Sequence, residues 1–226
     1  MEKIKTGKTK DVYALNDSEC VLLFKDDVTG TDGVFDPGAN TVGLSIEGIG
    51  KSNLAVSVYF FELLKNHGIY THFISADIPK SEMTVRKAEM FGDGLEVICR
   101  FKAVGSFIRR YGGYIKEGED LPAYVEVTLK DDDRGDPLIT QQALEILNIL
   151  NESQYIELTE MAKQISLIIR DDLQKKGLDL YDIKLEFGKF DNEVILIDEI
   201  ASGNMRVYKD GRVLQPEELT AIILSK

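Results

Sequence analysis

The chain has 226 residues, 43% of them hydrophobic, and 39 acidic against 27 basic side chains give a formal net charge of −12. That length buries a full core, as one large domain or two lobes, and that charge argues against nucleic-acid or anionic-membrane partners, which want a basic surface. Cys20 and Cys99, the only cysteines, stand far apart in no CxxC spacing and read as free buried thiols, not as a disulfide or zinc site. Met1 to Lys10 is polar and basic with no hydrophobic signal segment, and no apolar run approaches the ~20 residues of a membrane span. A cytoplasmic location is the expectation.

Asp11 to Leu15 and Cys20 to Lys25 read as short strands around the turn cluster Asn16-Asp17-Ser18. Thr29 to Gly50 is rich in Gly, Asp, Thr and Asn with weak periodicity, which predicts a mobile functional loop rather than a packed element. A helix is expected from Ser52 to Asn66, with Leu54, Val58, Phe61 and Leu64 on one stripe and Gly68 beyond its end. Thr71 to Ile74 and Thr84 to Met90 read as strands, and Phe91-Gly92-Asp93-Gly94 as a break. Placed there, the boundary gives an N-terminal lobe over 1–91, with its loop at 29–50, and a C-terminal lobe over 92–226 carrying the metal and substrate site.

Leu95 to Lys102 is a further strand, followed by Gly105-Ser106 and a short basic segment, Arg109-Arg110. Tyr124 to Lys130 reads as a strand running into Asp131-Asp132-Asp133, which with Asp136 makes a polar turn ahead of Pro137. Two helices are predicted over Gln141 to Leu150 and Ser153 to Lys176, the second stopped by Gly177. A last short helix starts at Pro216.

Several motifs fail on spacing. Gly7-Lys8-Thr9 is not a P-loop, because the other glycine would sit where Glu2 stands, and Gly48-x-Gly50 lacks the third glycine and preceding strand of a dinucleotide fingerprint. His67 and His72 are too few and too poorly placed for zinc and read as structural. Lys8 and Lys10, two apart before a strand, put two ammonium groups on one face, suited either to a phosphate or simply to solvent. Arg100 ends an apolar strand that buries Val97 and Cys99, so it needs a carboxylate or phosphate to meet; Ser106 lies close behind to serve the same anion.

The strongest signal is the hairpin from Asp182 to Glu199. Asp182, Lys184 and Glu186 alternate with Ile183, Leu185 and Phe187, so the charged groups share one face of a strand. A second β-prone run, Val194 to Ile197, delivers Asp198, and pairing of the strands would bring it towards Glu186. Four carboxylates around one lysine exceed what a salt bridge needs, and oxygen-only ligands favour magnesium, the usual companion of nucleotide phosphates.

Gly7-Lys8-Thr9-Lys10-Asp11-Val12-Tyr13, Phe24-Lys25-Asp26-Asp27, Thr71-His72-Phe73, Leu95-Glu96-Val97, Gly105-Ser106-Phe107, Lys130-Asp131-Asp132, Gly135-Asp136-Pro137 and Asp182 to Gly188 fall in one order. That ordered set, running from Lys5 to about Arg206, resembles the SAICAR synthetase family. The resemblance implies a two-lobed α+β fold with largely antiparallel sheets and an ATP cleft between the lobes. It also implies an ATP-dependent ligase of purine biosynthesis that joins L-aspartate to an aminoimidazole carboxylate ribonucleotide through an acyl phosphate. ATP and magnesium are the implied cofactors and small molecules the partners, with a homo-oligomer left open.

Carried over by motif, Lys8, Lys10 and Lys130 would contact ATP phosphates, Glu89 and Met90 the adenine, and Glu186 and Asp198 the magnesium. Asp182 would line the same metal centre. Lys184, Asp182 and Lys130 would be the catalytic set, with Lys184 nearest the transferring phosphoryl group. Arg100, Ser106 and Arg206 would grip the ribonucleotide's phosphate or carboxylate, and Asp32 would belong to the substrate-side loop. The sequence departs from the family at several places, among them Phe101 where an asparagine is usual, the Gly92-Asp93-Gly94 connection, and two longer motifs. The usual D-E-x-S-P-D-x-x-R reads Asp198-Glu199-Ile200-Ala201-Ser202-Gly203-Asn204-Met205-Arg206, and the usual E-G-K-G-x-x-N-N reads Glu47 to Leu54 with a lysine and an asparagine replaced. Both changes fall on substrate-side segments, so ligation of a different carboxylate–amine pair, or nucleotide binding without catalysis, stands as the alternative.

Overall fold

A computed structural model describes residues 1–225. Its elements in chain order begin with strands β1 (Glu2–Thr6), β2 (Lys10–Ala14), β3 (Glu19–Phe24), β4 (Asp27–Thr31), β5 (Val34–Phe35) and β6 (Val42–Ser45), then helix α1 (Ile49–Asn66). Strands β7 (Phe73–Asp77), β8 (Glu82–Arg86), β9 (Glu89–Met90) and β10 (Leu95–Lys102) precede the short helix α2 (Ser106–Tyr111) and strand β11 (Asp120–Leu129). Helices α3 (Gln141–Ile146) and α4 (Glu152–Lys175) lead to strands β12 (Asp179–Phe190), β13 (Glu193–Ile197), β14 (Met205–Lys209) and β15 (Arg212–Val213), and helix α5 (Pro216–Ile223) closes the series.

These elements form two compact units. Unit 1 comprises Met1–Ala88, Ile197–Asn204 and the described residues from Leu214 onward; unit 2 comprises Glu89–Leu196 and Met205–Val213. The chain therefore returns to unit 1 twice after position 92, where the sequence reading runs one lobe to the C-terminus.

Unit 1 holds a five-stranded antiparallel sheet in the order β1-β2-β3-β8-β7 and a three-stranded sheet β5-β4-β6. Helix α1 packs on β3 and β7 and against α5, burying Leu54, Val56, Phe60, Phe61 and Leu64. The segment 29–50, expected as a loop, contributes three strands. Its glycines and aspartates serve turns: Asp32 (φ 51) and Gly33 (φ 79) form the two-residue β4–β5 connection that a hairpin twist favours. Helix α1 also starts three residues earlier than predicted. Asp26 accepts the backbone N–H groups of Gly48 and Gly50 at 3.0 and 2.9 Å, so its capping group comes from 24 positions back, invisible to a local pattern.

Unit 2 is a seven-stranded sheet along the path β11-β10-β12-β14-β15, with β9 and β13 also paired to β12. Helix α4 packs across β10, β11 and β12. Asn151 and Gln154 cap it reciprocally, and the chain leaves it at Gly177 (φ 70), as expected. Period-two alternation puts Val97, Cys99, Val127, Ile183, Leu185 and Phe187 on the helix side, all buried, facing Leu158, Ala162, Ile165, Ile169 and Leu173 of α4. Each such large side chain contributes about 1.5–3 kcal/mol by leaving water. Strand β11 begins four residues before its predicted start and tolerates Pro122 because it is an edge strand. The hairpin turn after β12 falls at Asp191 and Asn192, both left-handed.

Candidate active site

The alternation that buries one face of the unit 2 sheet assigns the other face to charge. Antiparallel register sets Arg100 opposite Asp182 and Tyr124, Ile98 opposite Lys184 and Glu126, and Glu96 opposite Glu186 and Thr128. Arg206 on β14 stands opposite Asp182. Ten side chains from four strands thus line one surface, as the alternation of Asp182, Lys184 and Glu186 predicts.

At one end of that surface, Arg100 is 2% exposed with all five N–H donors engaged. Nε and Nη2 donate to Glu126 Oε1 (3.0 and 2.7 Å), Nη1 to Asp182 Oδ2 (2.6 Å) and the Val104 carbonyl (3.2 Å), and Nη2 also to Ser106 Oγ (2.7 Å). Arg206 Nη1 meets the same Asp182 oxygen at 2.8 Å, and Arg110 from α2 donates to both oxygens of Glu126 at 2.7 and 2.6 Å. Three guanidiniums therefore alternate with two carboxylates. Gly105 (φ 58) makes room for the arrangement, since a Cβ there would lie 2.8 Å from Arg206 Nη1.

Two expectations change here. Arg100 donates all five N–H groups to protein acceptors, while Ser106 and Arg206 are only partly buried. Asp182 and Glu186 are not brought together: four residues along one strand separate their Cα atoms by about 13 Å, and Asp182 pairs with two arginines.

At the other end, Glu96 and Glu186 face each other directly across adjacent strands, an arrangement that repels unless cations intervene. Lys184 Nζ donates to Glu96 Oε1 at 2.6 Å, and Lys130 pairs with Glu186. Thr128 Oγ1 lies 3.4 Å from the second Glu96 oxygen. Burial alone would lower the Lys184 pKa, but Glu96 and then Glu186 outweigh it and hold the ammonium above the usual lysine value. Burial raises the Glu96 carboxyl, with Lys184 opposing and Asp136 and Glu186 adding to the rise. Gly94 (φ 122) sits between Met90 and Lys130: a Cβ on it would lie 2.8 Å from Met90 Cε and 3.2 Å from Lys130 Cδ. Met90 and Glu89 are paired to Gly188 and Lys189 on β12. Met90, Lys130 and Glu186 are therefore brought together around one glycine.

Unit 1 carries its own cluster. Lys10, at the start of β2, lies 3.0 Å from Asp198 Oδ1 and also pairs with Glu199. Asp198 adopts φ 66, and its carbonyl lies 3.0 Å from His72 Nε2. His72 is fully enclosed; burial, against the raising influence of Asp198, pushes its pKa down to about 4, so the ring is neutral. Lys8 lies on the Gly7–Lys10 turn, its Nζ 3.2 Å from the Asn40 carbonyl. Asp32 stands apart on the exposed β4–β5 turn.

Among the described residues, no three His, Cys, Asp or Glu side chains cluster closely enough to cage a metal. Magnesium needs no such cage, since it keeps several waters and takes one or two carboxylates with phosphate oxygens. The donor chemistry fits: Glu186 opposes a second carboxylate and Asp198 adjoins one, so hard oxygen donors are supplied at both.

Residues 3–219 match the family model described as SAICAR synthetase. The chain belongs to the SAICAR synthetase family. The phosphoribosylaminoimidazole-succinocarboxamide synthase of Clostridium tetani is 55% identical over 226 residues, covering 99% of this chain and 100% of its own. The synthase of that name from Thermotoga maritima is 38% identical, covering 93% and 87%. A solved SAICAR synthetase in complex with ADP superposes with a TM-score of 0.86 at 31% identity, covering 98% of this chain and 97% of that one. The mixed helical and antiparallel architecture is thus the SAICAR synthetase fold.

Within that SAICAR synthetase framework, the sequence reading gave no site role to Glu96, Glu126 or Arg110 and did not foresee the contact made by His72. Glu96 and Glu126 carry a signal in retrospect, each a single acid set between apolar neighbours of a strand, Leu95 and Val97 or Val125 and Val127. The contacts of Arg110 and His72 carry none, because their partners lie 16 and 126 positions away.

Proposed function

We propose how the residues of this chain divide the work of the family's reaction. The chain is an ATP-dependent carbon–nitrogen ligase of purine biosynthesis, joining L-aspartate to 5-amino-1-(5-phospho-D-ribosyl)imidazole-4-carboxylate. A carboxylate does not react with an amine until one of its oxygens becomes a leaving group. The γ-phosphoryl group of ATP supplies that by forming an acyl phosphate, which the aspartate amine attacks, expelling phosphate.

Phosphoryl transfer asks the protein for position and for cationic charge around the moving group, more than for covalent chemistry. Lys184 and Lys130 are assigned that charge. The observation that carries the reading is the opposed pair Glu96 and Glu186 bracketed by these two lysines, a costly arrangement that a nucleotide site uses. Lys184 is held protonated by its acidic neighbours and so acts as a fixed cation, not as a base. Lys8 and Lys10 are assigned to nucleotide phosphates, and Glu89 and Met90 to the adenine. Bound magnesium supplies further neutralisation of phosphate oxygens, and Glu186 and Asp198 are the carboxylates proposed to hold it.

Arg206 and Ser106 are assigned to the ribonucleotide's anionic group, with Arg100 beneath them as support. Three arginines against two carboxylates leave that end of the sheet one positive charge in excess. Asp182 acts by fixing Arg206 and Arg100, and Asp32 stays with the substrate-side segment. The unpaired, buried cysteines suit a reducing compartment, and the cytoplasm is the proposed location.

Release of ADP, followed by a coupled assay, tests the reading. Turnover should require the carboxylated ribonucleotide and L-aspartate together. Equal ADP release with other acids or amines would mean that the acceptor pair differs from the family's, and nucleotide binding without turnover on any acceptor would remove the ligase assignment.

A further inference from the structure

His72 contributes nothing to the reaction as described so far, yet it is a buried side chain that touches the Asp198 backbone. It is 3% exposed, packed against the Phe61 ring at 5.7 Å between centroids, with Nε2 3.0 Å from the Asp198 carbonyl oxygen. A carbonyl only accepts, so Nε2 carries the proton. Asp198 follows β13 directly and sits at φ 66, a left-handed conformation uncommon for residues other than glycine, though aspartate adopts it more readily than most. Its carboxylate lies 3.0 Å from Lys10, and the next residue, Glu199, pairs with the same lysine.

The rest of the segment is pinned to α1 by other groups. Ser57 Oγ, whose single proton is shared between the Asn53 carbonyl at 2.8 Å and the Ile200 carbonyl at 3.2 Å, reaches the segment from α1, and Ser202 Oγ donates to Asn53 Oδ1 at 2.8 Å. Those two contacts act on residues 200–202, two to four positions beyond the turn at Asp198. The hydrogen bond from His72 acts at that turn.

We infer that His72 is a positioning residue for the Asp198 carboxylate: its Nε2–H fixes the Asp198 carbonyl, keeps the residue left-handed and so aims the carboxylate beside Lys10. This rests on the assignment of Asp198 to magnesium made above. The side chain needed is one that reaches past Cγ with a donor at its far end. Glutamine places an amide nitrogen near the Nε2 position, while asparagine ends near Nδ1, short of the carbonyl.

The test compares ADP affinity with magnesium and with chelator, by calorimetry, in the wild-type chain and in Asp198→Asn, His72→Asn and His72→Gln. Asp198→Asn should abolish the enhancement of ADP binding by magnesium. His72→Asn should cut that enhancement about tenfold, in the range seen when groups supporting a metal ligand are removed, with chelated ADP affinity unchanged. His72→Gln should retain it within about twofold, although both His72 variants lower the unfolding temperature. A purely structural histidine would move the unfolding temperatures alone, and an unchanged enhancement in folded His72→Asn overturns the inference. If Asp198→Asn keeps the enhancement, the metal assignment itself falls and the inference with it, a result distinct from the first. A second measurement needs no variant: in wild-type protein with ¹⁵N-labelled histidine, His72 Nε2 should stay protonated and slow to exchange when magnesium and ADP are added. A shift of that proton to Nδ1 also overturns it.

Discussion

The two units hold their charged groups by different means. In unit 2 the charges meet one another, side chain to side chain, across a sheet whose register decides every pair: Arg100 with Glu126 and Asp182, Lys184 with Glu96, Lys130 with Glu186. In unit 1 ion pairs such as Lys10 with Asp198 are joined by polar contacts to the backbone, from Asp26 to the first N–H groups of α1 and from His72 to the carbonyl of Asp198. A sheet face offers a fixed lattice of positions about 5 Å apart, on which alternating charge makes a rigid surface. Irregular segments have no lattice, so their geometry has to be set one backbone group at a time.

The contrast breaks most readily at Asp182. Replacing it with asparagine leaves two guanidiniums, one of them buried, without their shared carboxylate. Removing one partner of a buried ion pair typically destabilises by about 3–5 kcal/mol. Chemical denaturation of Asp182→Asn should show a loss of that size, and a loss below about 1 kcal/mol would mean that the sheet-face network is not what holds the arginine cluster rigid.

A smaller effect is expected at the other end of the same face. Glu96→Gln keeps the shape but deprives Lys184 of its nearest carboxylate, 2.6 Å away, while easing repulsion on Glu186. Stability should change little, and the kcat for ADP release should fall about tenfold, somewhat less than the loss when a direct charge-stabilising donor is removed. An unchanged kcat would show that Lys184 needs no help from Glu96 to stay in place.

The same contrast explains what was legible in the sequence. Strand β10 was bounded to the residue as Leu95–Lys102, and the shared face of Asp182, Lys184 and Glu186 followed from alternation alone, because both depend on neighbours one or two positions away. The fold and the reaction were legible through the ordered motifs, not through any one of them. What stayed hidden depends on distant partners. The sheet in 29–50 was mistaken for a loop because its turns need the residues that loops are made of. Arg100 was assigned to a ligand because nothing near it in sequence announces Glu126 or Asp182, 26 and 82 positions on.

Asp26 gives the mildest test, and the one that isolates the unit 1 manner of construction. Its two carboxylate oxygens accept the Gly48 and Gly50 N–H groups, and those bonds hold its pKa below the ordinary value for aspartate. Asp26→Ala removes the cap from a helix whose N-terminal glycine, Gly48, supplies no side-chain substitute, and such losses cost about 1 kcal/mol. The pH dependence follows from the sign of the shift. A carboxyl with a depressed folded-state pKa binds protons less readily folded than unfolded, so its extra stability is present above the unfolded value. It is lost as pH falls through the folded one. The gap in unfolding midpoint between wild type and Asp26→Ala should therefore be widest near neutrality and narrow under acid conditions. Asp26→Asn should cap too, more weakly than the carboxylate, with no such narrowing. A gap that stays constant down to strongly acid pH would mean that the helix start is set by packing of Ile49 and Leu54, not by a carboxylate directed at the backbone.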